Sequence, residues 1–278
     1  MARGNRKSRI FRNDRDRLNF LERLRQAIDR YHVGCKSWAL MNTHYHSMLE
    51  TPLGNISEVM KFLNGTFTQD WNRRYRSTGH VFEGRFVSVL IETGPYMRNV
   101  YRYIARNPVE AGYVASPTDW PWSSHSCIAG LVPHDNVTDL EGLELCFGGL
   151  NTSEAQRNYR EFVETPVTGD DDPCARCVVG SEAFESKVRE VVGNQMFHIR
   201  VPRSYRALAR PSLEKLFEGI GHDLETRNST IVRAHVVYGY TQSMIARSLA
   251  VHPDTVSRIV CAIKRQRFFL VDLGKPTT

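Results

Sequence analysis

Residues 41–50 read MNTHYHSMLE, and their alternation constrains the chain more than any other stretch. Side chains two apart on a strand share a face. His44, His46 and Met48 then fall on one face, and Tyr45, Ser47 and Leu49 on the other. Residues 35–41 read as a strand, Asn42-Thr43 as a tight turn and residues 44–50 as the second arm of a hairpin. Two imidazoles side by side on rigid backbone make half of a metal site. The plain alternative is a pair of half-exposed strand histidines that hold nothing.

The flanks supply helices. Asn13 and Asp14 start one, with Phe20, Leu21, Leu24, Ile28 and Tyr31 recurring at helical spacing and Gly34 after its end. Ile56, Val59, Met60, Leu63, Phe67 and Trp71 make the apolar stripe of a second. Residues 85–91 read as a third strand and residues 96–107 as a third helix, ended by Pro108 because the residue before proline avoids the helical region. Helix, hairpin, helix, strand is most of a split βαβ sandwich. Its opening strand would have to come from residues 1–12, which are highly charged, so the expectation there is a truncated or missing strand.

The third helix completes the site. Met97, Val100, Tyr101 and Ile104 form the stripe that faces a core, while Tyr103 and Asn107, four apart, share a different face. Tyr101 is thus the packed tyrosine and Tyr103 the one free for chemistry. Two strand histidines and this Tyr-x-x-x-Asn point to one mechanism. A divalent ion held by His44, His46 and the Asn107 oxygen takes phosphate oxygens of a DNA strand, and the Tyr103 hydroxyl attacks the phosphorus. A phosphotyrosine link and a free 3′-hydroxyl result, so strands are cut and rejoined without ATP. Mixed nitrogen and oxygen ligation with phosphate suits Mg²⁺ or Mn²⁺, although histidine-rich sites also attract Zn²⁺. A tyrosine titrates near 10, and the sequence does not name the base that would help it.

Composition sets outer limits. A net charge of +7 across 278 residues favours phosphate-rich partners. No run of eighteen apolar residues predicts a membrane span, and the basic first residues lack the apolar region of a secretory signal. The six cysteines are scattered, which fits a reducing cytoplasm. Cys174 and Cys177 form a CxxC with no second pair and read as a loop feature rather than a zinc site.

Four words, LMNTHYHSMLETPLGN, LNGTFTQDWNRRYRSTGHVFEGRF, YRYIARNPVEAGYV and DWPWSS, occur in an order that resembles the REP-associated tyrosine transposases of the HUH single-strand endonuclease superfamily. The resemblance covers residues 3–125. It implies a ferredoxin-like (RRM-like) antiparallel sheet with helices on one face, His44 and His46 as metal ligands around a buried Tyr45, Tyr103 as nucleophile and Asn107 as third ligand. It also implies single-stranded DNA with hairpins or palindromic repeats as substrate. The chain departs from the family pattern twice. Family members carry an extended strand ahead of the ARGN word, which Met1 here almost abuts, and Asn42-Thr43 stands where Pro-Asn is common.

Cations near the second helix, Arg73, Arg74, Arg76, His80 and Arg85, are expected to hold the DNA strand, with Phe67 and Trp71 assigned to the core. Near the end, Ile245-Ala246-x-x-Leu249, a turn and Val256-Ser257-Arg258-Ile259 resemble a helix-turn-helix. Its second helix would enter a major groove with Thr255, Ser257, Arg258 and further along Lys264 as readers; an ordinary helical hairpin is the alternative. The expected chain is an α+β catalytic domain over 1–130, a loop-rich linker over 131–180 with one short helix at 154–163, and an all-α DNA-binding domain over 181–270. It acts as a monomer or homodimer. Its rivals are a catalytically inactive DNA-binding regulator on the same fold and a zinc hydrolase, which would cleave without forming a covalent adduct.

Overall fold

The computed structural model describes residues 1–165, 172–195, 203–220 and 223–271. The chain divides into two compact units, Met1–Gly180 and Ser181–Thr278.

The first unit is built on a hairpin. Strands β2 (Gly34–Leu40) and β3 (His44–Glu50) pair antiparallel, with Leu40 opposite Tyr45 and Ala39 opposite His46. The opening strand is present: β1 (Ala2–Arg3) pairs with β3, Ala2 opposite Tyr45 and Arg3 opposite His44. Beyond β1 runs an irregular fourth edge. Val81 accepts from Asn5 N at 2.9 Å, Glu83 N donates to Arg3 O at 2.9 Å, and Val87 N donates to Met1 O at 2.9 Å. The expected strand at 85–91 is thus displaced. Gly84 sits at φ 141°, where a regular strand breaks, and only β4 (Leu90–Ile91) is extended, in a separate parallel pair with β5 (Val178–Val179). The far edge of β2 is covered by the DWPWSS word: Leu40 N donates to Trp122 O at 2.8 Å and Ser124 N to Trp38 O at 2.9 Å. Neither outer strand of the sheet is left as a bare template for another chain.

Helices lie on both faces of this sheet, not on one. Alternation along the strands sends Leu40 and Tyr45 into a core with Phe20 and Leu24 of α1 (Asp14–Tyr31) and Leu63 and Phe67 of α2 (Ile56–Tyr75). The same alternation sends Ala39 and Met48 into a second core with Val100, Tyr101 and Ile104 of α3 (Pro95–Glu110). The chain enters α1 through Asn13, whose side chain caps Asp16 N, and leaves it through His32 at positive φ. Pro108 does not end α3, which runs on to Glu110 with Pro108 buried in its last turn. There a proline removes one hydrogen bond only, and packing outweighs that loss.

The expected linker at 131–180 belongs to the first unit. After the short α4 (His125–Ile128), α5 (Leu143–Phe147) and α6 (Thr152–Glu164) bury Phe147, Ala155, Tyr159 and Val163 against α3. The Gly-, Asp- and Thr-rich composition hid these apolar positions, which lie too far apart to show a long periodic stripe.

The second unit contains α7 (Glu182–Gln195), α8 (Arg203–Ala209), α9 (Leu213–Phe217), α10 (Leu224–Val236), α11 (Gln242–Ser248) and α12 (Pro253–Val271). Ile231, Ala234, Tyr238, Ile245, Ala246, Val256 and Val260 share one core, which joins α10, α11 and α12. Thr241 caps α11 by accepting from Met244 N. Among the described residues no helix is long and apolar enough to cross a membrane.

Candidate active site

Strand β3 presents two imidazoles to the face that α3 covers. The rings of His44 and His46 lie 5.1 Å apart, edge to face. Tyr45, between them, points the other way: it is fully buried against Phe20, at 4.5 Å, and donates its hydroxyl to Asn64 Oδ1 at 2.7 Å.

Helix α3 brings the remaining expected residues to the same place. The Tyr103 ring lies 5.3 Å from the His46 ring, at 83°. One helical turn on, the Asn107 side chain is within hydrogen-bonding reach of His44. Tyr101 is the packed tyrosine, 2% exposed among Phe147 and Tyr159. His44, His46, Tyr103 and Asn107 therefore converge from one strand and one helix. Thr43 Oγ1 lies 3.1 Å from His44 Nδ1, which occupies that nitrogen and leaves Nε2 for a ligand.

The surroundings tune these groups in one direction. Burial, then the Arg3 charge, holds His44 below its ordinary value, with Asn107 opposing. Burial, then His44 itself, holds His46 well below. Both imidazoles are thereby neutral at neutral pH, the form that ligates metals. Burial, then Cys174 and Asp172, pushes the Tyr103 phenol above its ordinary value. The donor set fits a divalent ion: two neutral imidazoles and an amide oxygen. Among the described residues no cluster of three or more His, Cys, Asp or Glu side chains has metal-holding geometry, so Asn107 is the third donor available.

Two neighbours escaped the sequence reading. Asp172 and Cys174 both come within hydrogen-bonding reach of the Tyr103 hydroxyl, and Cys174 Sγ lies 4.0 Å from His46 Nδ1. No local pattern marked them, apart from the CxxC that had been set aside as a loop.

The expected DNA contacts divide. Arg73, Arg76, His80 and Arg85 are exposed. Arg74 is not a free cation: its Nη1 is 2.6 Å from Oδ1 of Asp16, a carboxylate 1% exposed that also accepts from Tyr75 Oη at 2.7 Å and Arg12 N at 2.9 Å. Arg74 ties α2 to α1. In the second unit Arg258 is exposed at the start of α12, with Thr255 and Ser257 half-buried beside it. The Lys264 side chain lies outside the described residues.

The fold and the site together define a class: a small antiparallel sheet whose central strand sets two histidines against a helix-borne tyrosine. Residues 1–107 match the family described as "Transposase IS200 like" and are a segment of that family. A curated relative, "Putative REP-associated tyrosine transposase" of Haemophilus influenzae (strain ATCC 51907 / DSM 11121 / KW20 / Rd), is 26% identical over 117 residues. The match spans 38% of this chain and 66% of the relative's length. No solved structure matches.

Proposed function

We propose that this protein is a transposase-like endonuclease that cuts and rejoins single-stranded, hairpin-bearing DNA through a covalent bond to Tyr103. One observation carries the reading: the Tyr103 ring sits 5.3 Å from His46, although the two residues belong to separate elements of the chain. The fold agrees with it. The spatial order of residues 81–87, β1, β3 and β2 is that of a ferredoxin-like sheet.

His44, His46 and Asn107 would hold Mg²⁺ or Mn²⁺. When bound, the ion supplies charge neutralisation and polarisation at the scissile phosphate. The chain's own residues do the rest. The α3 backbone holds Tyr103 beside the histidines, so that its hydroxyl meets a phosphate seated there. The phenolic oxygen bonds to phosphorus and the bond to the 3′-oxygen breaks, which leaves a 5′-phosphotyrosine and a 3′-hydroxyl. Reversal by another 3′-hydroxyl rejoins strands. Arg73, Arg76, His80 and Arg85 hold the flanking phosphates. In the second unit α11 and α12, with the turn at 249–252, serve as a helix-turn-helix that reads duplex DNA through Thr255, Ser257 and Arg258.

The test is incubation with Mn²⁺ and a labelled pool of hairpin oligonucleotides carrying randomised single-stranded flanks. Wild type is expected to form a denaturation-resistant protein–DNA adduct, and Tyr103→Phe to lose it entirely. An adduct that survives Tyr103→Phe, or that disappears in a folded Tyr101→Phe variant, overturns the assignment. A second reading, a DNA-binding regulator without cleavage, draws on the Asp172–Cys174 corner set against the Tyr103 hydroxyl. It predicts hairpin binding with no adduct in any variant.

A further inference from the structure

The groups that meet the Tyr103 hydroxyl come from outside the matched segment of residues 1–107. They stand on a short corner, the 3-10 turn Pro173–Ala175 with Asp172 at its start. Asp172 Oδ1 accepts from Cys174 N at 2.8 Å, which fixes the carboxylate relative to the corner. The corner in turn is fixed relative to α3. Leu90 N donates to Cys177 O at 2.9 Å and Glu92 N to Val179 O at 2.8 Å, and Val178 is buried. Strand β4 leads directly into α3 through Gly94 and Pro95, so one parallel ladder sets the height of Asp172 against Tyr103. A carboxylate only accepts hydrogen bonds. The phenol facing it must donate, which aims the O–H bond at Asp172.

Resting on the cleavage reading above, we propose that Asp172 is a catalytic residue for this site: it orients the Tyr103 hydroxyl and accepts its proton as the phenolic oxygen bonds to phosphorus. The step balances. The O–H bond breaks and its proton goes to the carboxylate. The phenolic oxygen's electron pair forms the new O–P bond, and the 3′-oxygen leaves with the old bond's pair. The departing 3′-oxygen takes up a proton from solvent water, and the Asp172 carboxylic acid returns one to solvent. A contact that is only within reach in the free protein is expected to tighten when DNA is bound. The need for such an acceptor follows from the phenol's surroundings, which keep it protonated at neutral pH.

The experiment compares wild type with Asp172→Asn and Asp172→Glu, using the full chain, Mn²⁺ and the hairpin pool. Asparagine preserves the acceptor for Cys174 N and the start of the turn, so the corner keeps its shape. Asp172→Asn is expected to slow single-turnover adduct formation about a hundredfold, with hairpin affinity unweakened, and Asp172→Glu to recover part of the rate. An unchanged rate overturns the proposal while leaving the cleavage reading intact. So does a faster rate, which would make the corner an obstruction to DNA. A second readout needs no DNA: the ¹³C shift of the Tyr103 ζ-carbon, which reports what its hydroxyl bonds to, is expected to move on Asp172→Asn. A shift that stays put overturns the proposal whatever the assay gives. A wild type without adduct fails the cleavage reading, and the catalytic role of Asp172 with it.

Discussion

Tyr45 and His46 are adjacent in the chain and stand in opposite surroundings. Tyr45 faces a core of Phe11, Phe20 and Phe67, rings 5.3–5.5 Å apart between α1 and α2. His46 faces α3, where titratable groups are buried together: His46 at 5% exposure, Tyr101 at 2%, His125 at 1% and Tyr159 at 0%. One face is held by apolar area that pH does not touch. The other holds polar groups that the fold keeps neutral by burial. The sheet thus separates a part that only has to be stable from a part that is set up for chemistry, and it does so with a single-residue step along β3.

Three changes sharpen or break that contrast. The largest effect belongs to the α1–α2 face. Phe67→Ala removes a ring 1% exposed from the aromatic cluster and is expected to cost about 3–5 kcal/mol in denaturant unfolding. A cost below about 1 kcal/mol would mean that this face is not where the unit's stability resides.

Next comes acid sensitivity of the α3 face. His125 has Nδ1 3.0 Å from Tyr159 Oη and a buried Nε2 without a partner. Burial lowers it from 6.5 to about 4. Between those values the unfolded chain binds a proton that the folded one refuses, so stability is complete above 6.5 and falls as pH falls towards 4. The expected loss is about 2 kcal/mol from pH 7 to pH 5 and about 3 kcal/mol by pH 4. Urea melts of wild type and His125→Gln should diverge in slope against pH over this window. Parallel slopes would remove His125 from the account.

The smallest change tests a cation outside both faces. Arg74→Ala leaves Asp16 buried with Tyr75 and Arg12 as its remaining partners. It is expected to cost about 2 kcal/mol, whereas Arg73→Ala, exposed beside it, should change stability by less than about 0.5 kcal/mol. Equal costs would return Arg74 to the surface and to the phosphate contacts.

Much of the first unit was legible because its signals are local. The alternation of residues 44–50 placed His44 and His46 on one face, and the spacing of Met97, Val100, Tyr101 and Ile104 separated Tyr101 from Tyr103. The opening strand was doubted and is present as Ala2–Arg3, since two residues suffice when β3 offers a complete partner. Residues 131–180 were read as a linker because Gly, Asp and Thr dominate them. Their few apolar side chains matter only against α3, where Tyr159 and Phe147 enclose Tyr101. Arg74 was read by its charge alone; nothing in its neighbourhood of sequence announces Asp16.

By itself, the sequence determined which side chains share a face, because that follows from the periods of strand and helix, which the backbone imposes within a few residues. Only the tertiary structure decided what those faces meet. Asp172 against Tyr103, Arg74 against Asp16 and α6 against α3 are contacts between distant segments. Each depends on how loops close and cores fill, and no repeat in the chain encodes that.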